Sequence, residues 1–425
     1  MVQVLPFRGI LYTPSYANPG IYAPPYDVID ETERTEYLKQ DPHNVVQLTL
    51  RPKSGDDNWY QKTAHRLQRF LKKGILARDE VPFLYGYRQQ FTLGDGETYI
   101  RTGFMGRVRL EAWGGGIYPH ERTRAEPLED RLRLMRATRM NMSPIFGMYR
   151  DPRQELFVWL EPPQKPLLDF WEGKERHIFW RIRDPQALAT LVQGMKTRDV
   201  VIADGHHRYE TALTYRRERP AQEGTCCGPR PYDYVLMYLT AVEDDGLRIL
   251  PAHRVVKGTP DRSWEELRGH LQQDFAITPL SPKASLTEAI SAYPKDVVAI
   301  GACIRGVGKW LLKLRAPQRI YRFSEGDVPK EIATLDVSVL QNLILQPHFD
   351  ISQRDLTTTE RVSYTTSESR ACEAVQEGEA DAAFILRPPS IKRVWNVAHA
   401  GLSMPQKSTY FYPKLLTGLV FNPLY

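Results

Sequence analysis

No apolar run in this chain of 425 residues approaches the roughly 20 residues that a membrane-spanning helix needs. The opening MVQVLPFRGI lacks the charged and apolar halves of a signal peptide, so a cytoplasmic location is expected. Cysteine is scarce: Cys226, Cys227, Cys303 and Cys372 include no CxxC spacing, which excludes a zinc knuckle and a disulfide framework. Charge of one sign is not concentrated either. The net charge of +6 is spread along the chain, which fits small anionic substrates and does not demand nucleic acid. Internal repeats and low-complexity tracts are also missing. What is left is the composition of an ordinary soluble protein, 42% hydrophobic and 25% charged, long enough for two to three domains.

The most informative stretch is VVIADGHHRYETAL, residues 200–213. Val200 to Ala203 form a short β-branched run that suits a buried strand. Tyr209, Ala212 and Leu213 fall at i, i+3 and i+4, one face of a helix. The segment therefore reads strand, tight turn, helix. Gly205 permits a sharp reversal, and Asp204 is the expected N-cap. The helix start points free N–H groups into a turn where His206, His207 and Arg208 add donors and charge, which is how a chain builds a phosphate site. A capped helix after a strand is common, and capping alone would explain Asp204. Two adjacent histidines followed by arginine cannot all turn inward on a helix, so packing does not explain the set.

The rest of the chain mixes elements without a regular βαβ repeat, which favours α+β with mixed sheets. Residues 14–30 are too rich in proline and tyrosine for regular structure, and VVQLTL (45–50) reads as a strand. An amphipathic helix is expected over 59–76, closed by Gly74. A hairpin is signalled by GDGE within 82–111. Strands are expected at 143–150, 232–242, 247–256 and in the runs DVVAIGACI and KWLLKLRA, and helices in WEELRGHLQQDF and DVSVLQNLILQ. Three portions are expected: 1–150, 151–260 carrying the DGHHR turn, and 261–425.

Three further clusters carry polar chemistry. Behind three glycines, residues 114–138 gather His120, Glu121, Thr123, Asp130 and Arg131. A zincin would need a second histidine where Arg124 stands, so that reading fails. Arg133 and Arg136 read as the solvated face of a helix. His253 and Arg254 follow a strand, where such residues are commonly structural. Finally, Lys407, Ser408 and Thr409 offer a cation and two hydroxyls before Tyr410, Phe411, Tyr412 and Lys414. The KST run lacks the upstream glycines of a Walker motif, leaving either a phosphate or carboxylate clamp or the start of a core strand.

With PPYDVI, DPHNVV, PHERT with DRL, SPIF, ADGHHRYETAL, LPAHR and MPQKSTYFYPKLLTGL in one order, the chain resembles the family named domain of unknown function 1015. Some members of that family resemble pyrophosphate-dependent kinases of free serine. The Asp-Gly-His-His-Arg motif is similar to that of the ParB/sulfiredoxin-like fold, which includes nucleotide-dependent free serine kinases. The resemblance implies phosphoryl transfer from pyrophosphate or a nucleotide to free serine, with these small molecules as partners rather than a membrane or nucleic acid. Residue types fit such chemistry. The turn at 204–208 would hold the donor phosphates with Arg254, Lys407 and the other polar groups of the clusters, and Glu121 or Asp204 would accept the hydroxyl proton. Mg²⁺ would be held mostly by phosphate oxygens and water, with its protein ligands left open. Two other classes remain: a hydrolase with His120, His206, His207 and Asp204 around a metal and water, and a ParB-like nucleotide-switched DNA-binding module, for which no convincing helix-turn-helix is present.

Overall fold

Tyr234–Ala241, reading YVLMYLTA, is buried at every position, as a strand without polar alternation must be when both faces are covered. It lies inside a nine-stranded sheet. In order across that sheet run Ile117–Pro119, Val200–Asp204, Ile145–Tyr149, Tyr234–Ala241, Thr98–Arg109, Leu84–Thr92, Glu175–Ile182 and Leu168–Glu172, with Val4–Leu5 also pairing to Thr98–Arg109. Val200–Asp204 runs parallel to Ile117–Pro119 and antiparallel to Ile145–Tyr149. The sheet is therefore mixed, and the fold is α+β. The computed structural model describes residues 1–54, 58–121, 126–219, 228–258, 263–315, 329–352, 355–358 and 361–425.

The helices His206–Glu218 and Glu126–Thr138 pack together. Tyr209, Ala212 and Leu213 of the first, and Leu132 and Met135 of the second, join Val200, Ile202 and Val235 in one core. Arg133 and Arg136 face outward, paired with Glu129 and Glu218, so the helix is amphipathic as expected.

The chain divides into two compact units rather than the three sequential portions expected. The first comprises 1–119, 123–248 and 413–425, and the second 120–122 and 249–412. A boundary at 150 would cut the pairing of Ile145–Tyr149 with Tyr234–Ala241. The second unit holds a wholly antiparallel sheet in the order Phe275–Leu280, Gly308–Leu314, Ala299–Ile304, Ala382–Ile385, His253–Val256 and Val362–Thr365. Leu286 and Ile290 from one helix, and Ala371 and Val375 from another, cover it.

Most expected elements form. Trp59–Lys72 is a helix with Gly74 beyond its end at φ +70, and Leu84–Thr92 with Thr98–Arg109 is the GDGE hairpin. Two expectations are corrected. Residues 45–50 hold a short buried helix, Val46–Thr49, not a strand. The Asn44 side chain accepts from Val46 N (2.9 Å) and donates to Gly20 and Tyr22 carbonyls, fixing a turn that overrides β-branched propensity. The apolar run from Asp336 is helical, but Gln341–Leu345 is wound as π-helix.

Candidate functional site

In the first unit, strand Val200–Asp204 hands over to helix His206–Glu218 through Gly205 alone. Pairing with the neighbouring strand slips between Ile202 and Asp204, and such irregularities re-aim side chains. Asp204 is not the N-cap: Gly205 occupies that position at φ +92. A Cβ on Gly205 would lie 2.9 Å from the Arg208 Nε and 3.0 Å from its Cζ. The glycine is thus required both by its left-handed backbone and by the guanidinium folded over it.

That guanidinium is buried. It donates from Nη2 to Asp204 Oδ2 at 3.1 Å and from Nη1 to the Pro144 carbonyl. Lys414 Nζ stands 3.6 Å from the same Asp204 oxygen. Two cations thus converge on one partly exposed carboxylate at a helix start, an arrangement of net positive charge beside aligned N–H groups that suits an anion. His206 is buried at 8% exposure and His207 is half-buried. His206 is therefore part of the packing, and His206, His207 and Arg208 do not all turn inward.

Beside the turn, Tyr26, Arg131, Ser143, Arg208 and Thr211 line a cavity of about 50 Å³. That is room for a few waters and too little for a nucleotide. Arg131 is committed to its surroundings: it pairs with Asp130, donates to the Thr49 carbonyl at 2.6 Å and stacks 4.0 Å from the centre of the Tyr26 ring. Tyr60 holds the other Asp130 oxygen at 2.7 Å. Burial, then the nearby Asp27, push the Tyr26 hydroxyl up to about 12, so it stays a proton donor at neutral pH.

The second unit assembles another group. His120, fully buried, bonds through Nε2 to the Thr409 hydroxyl at 2.8 Å, and its carbonyl accepts from Met404 N at 2.7 Å. Glu121 bridges to Met404 along the backbone. Lys407 is exposed with φ +55, and its carbonyl accepts from Arg254 Nη2 at 3.1 Å. Ser408 spends its hydroxyl on the Pro405 carbonyl. The loop 404–409 is thus a built structure, with the Lys407 ammonium displayed at its turn.

His253 and Arg254 do not follow a strand: they lie within His253–Val256 and are 1% exposed. Burial lowers Arg254 to about 10, while Tyr364 and Glu121 favour its charge. His253 Nδ1 accepts from Leu386 N at 3.2 Å, and burial drops its pKa to about 4. Thr123, Cys226 and Cys227 lie outside the described residues. Among the described residues, no three His, Cys, Asp or Glu side chains are grouped to hold a metal ion, so the histidine-rich metal centre of a hydrolase is not formed by them.

Sequence reading missed Tyr26 and the Pro144 carbonyl as neighbours of the turn. Their signal was present only as membership of the PPYDVI and SPIF segments.

Two outcomes follow from this geometry. Gly205→Ala is expected to lose about 1–2 kcal/mol of stability, from the left-handed backbone, and to displace Arg208; unaltered thermal unfolding would contradict the requirement. The second concerns pH. With a folded pKa of about 4 against roughly 6.5 unfolded, His253 contributes stability that is complete above pH 6.5 and is lost as pH falls toward 4. His177, lowered to about 3 by burial, acts in the same direction. The His253 share is about 3 kcal/mol. His253→Gln, which keeps an acceptor for Leu386 N, should flatten the acid limb of Tm against pH, and an unchanged limb would refute the assignment.

No curated protein matches the chain. Solved structures that resemble it include a conserved hypothetical protein from Pyrococcus furiosus (12% identity, covering 73% of this chain and 94% of that one, TM-score 0.35). They also include a free serine kinase in complex with AMP (13%, 73% and 90%, 0.36) and SbnI with a C-terminal truncation from Staphylococcus aureus (12%, 74% and 85%, 0.36). Among the described residues no helix is long and apolar enough to cross a membrane. A family model matches residues 4–338, across the DGHHR turn and the strands that carry it, and the chain belongs to the family described as "Protein of unknown function (DUF1015)".

Proposed function

We propose that this protein is a phosphotransferase that moves a phosphoryl group from pyrophosphate or a nucleotide to the hydroxyl of free L-serine, giving O-phosphoserine. The observation that carries the reading is the turn after Val200–Asp204, where Arg208 and Lys414 converge on Asp204 at the start of a helix. In the reaction the serine oxygen attacks phosphorus, the bond to the leaving phosphate breaks, and the hydroxyl proton passes to a carboxylate. Arg208, Lys414 and the helix N–H groups stabilise charge on the phosphate oxygens. The clamp on Asp204 by two cations suits it to organise the turn.

The residues of the turn fit Mg²⁺ only as an ion held mainly by phosphate oxygens and water, since Asp204 is the sole carboxylate within residues 204–208 and already faces two cations. When bound, the ion would neutralise charge on the donor phosphates.

The reading is tested by incubating purified protein and Mg²⁺ with serine and pyrophosphate, ATP or ADP in turn, with phosphoserine measured by mass spectrometry. Phosphoserine formed with at least one donor is expected. Release of inorganic phosphate without phosphoserine, or no turnover with any donor, would overturn it.

A further inference from the structure

Lys414 reaches Asp204 from a stretch of chain that has no regular structure of its own. Residues 413–416 form no strand or helix, so their backbone groups must find partners elsewhere. Those partners are side chains on one face of the nine-stranded sheet. Gln89 and Arg101 are directly opposite each other on neighbouring strands, and both are completely buried. Arg101 donates to the Gln89 side-chain oxygen and, at 2.6 Å, to the Pro413 carbonyl. Gln89 Nε2 donates to the Lys414 carbonyl at 3.0 Å. Tyr87, two residues from Gln89 and so on the same face, lies beside the Leu416 backbone.

Arg101 also touches the other end of the contact. Its guanidinium lies 4.7 Å from the centre of the Phe146 ring, and Phe146 is the register partner of Asp204. One buried cation thus contacts both the segment that carries Lys414 and the strand neighbour of the carboxylate that Lys414 meets. A fully buried guanidinium is an expensive way to hold a loop unless its placement matters.

We propose that Gln89 and Arg101 are positioning residues that fix the reach of Lys414 to the Asp204 turn, and through it the affinity for the phosphate donor. The inference rests on the phosphate-site reading of that turn. It makes Gln89 act on the donor only through Lys414, which a merely structural role would not.

The test is a double-mutant cycle on binding of pyrophosphate with Mg²⁺, followed by calorimetry, with Tm recorded for each protein. Gln89→Glu keeps an acceptor for Arg101 but sets a carboxylate oxygen against the Lys414 carbonyl. It is expected to weaken binding about tenfold. Lys414→Gln should weaken binding at least as much, and the double variant should bind no more weakly than Lys414→Gln alone. Where Gln89→Glu does not fold, Gln89→Asn, which shortens the amide and adds no charge, takes its place in the cycle. Wild-type binding by the Gln89 variant, or additive losses in the double variant, would overturn the positioning role while leaving the phosphate site standing. Undiminished binding by Lys414→Gln would remove the phosphate-site reading itself, and this inference with it.

Discussion

Asp204→Asn is expected to fold normally and to lose turnover by at least about 100-fold. The amide retains the size of the carboxylate and an oxygen for Arg208 Nη2, but it removes the charge on which Arg208 and Lys414 converge. A stability loss of about 1–3 kcal/mol is expected, because the amide keeps an acceptor for Arg208 but removes the countercharge of a buried guanidinium. Loss of a helix cap cannot explain an inactive variant, since the N-cap is Gly205 and the amide keeps an oxygen that can accept from helix N–H groups as the carboxylate does. Circular dichroism and Tm establish the fold, and phosphoserine formation gives the rate. An Asp204→Asn protein with ordinary kinetics would reduce Asp204 to an anchor for two largely buried cations.

Glu121→Gln carries the second large effect. If Glu121 accepts the hydroxyl proton, its loss lowers kcat by about 100- to 10,000-fold, because proton acceptance matters chiefly in the transition state. Donor affinity should then change little. The competing role is structural: Glu121 is one of the groups that favour the charge of the fully buried Arg254. That role predicts a fall in Tm and a loss of active protein, with the surviving fraction turning over normally. Active-site titration with Tm separates the two, and a kcat per active protein equal to wild type would exclude Glu121 as the base.

The strand-turn-helix at 200–213 was legible in the sequence because every cause of it is local: a β-branched run, a glycine, then helical spacing. Even there the cap was assigned one residue early, since Asp204 is a good capping residue by type and only the left-handed φ of Gly205 shows which position the helix starts from. The strand assigned to 45–50 failed because the polar side chain of Asn44 reaches back to Gly20 and Tyr22, contacts that β-propensity does not contain. The hairpin is legible from GDGE, but nothing local in the sequence marks Gln89 and Arg101 as buried. They are buried because residues 413–416 return to cover that face, and a pairing so distant in sequence leaves no periodic trace. The same return defeats any division of the chain into consecutive portions. His253 and Arg254 looked like strand-end surface residues, yet both sit inside a sheet with backbone and ring partners.

The Asp204 turn, with Lys414 brought to it, is proposed to bind a phosphate group. Equilibrium titration of wild-type protein and Lys414→Gln with pyrophosphate and with ATP, each with Mg²⁺ and at two salt concentrations, tests it most directly. The account predicts saturable binding of at least one donor by the wild type, weakened about tenfold or more in the variant, and weakened further in both by added salt. Absence of binding by the wild type, or equal affinity in the two proteins, would contradict it.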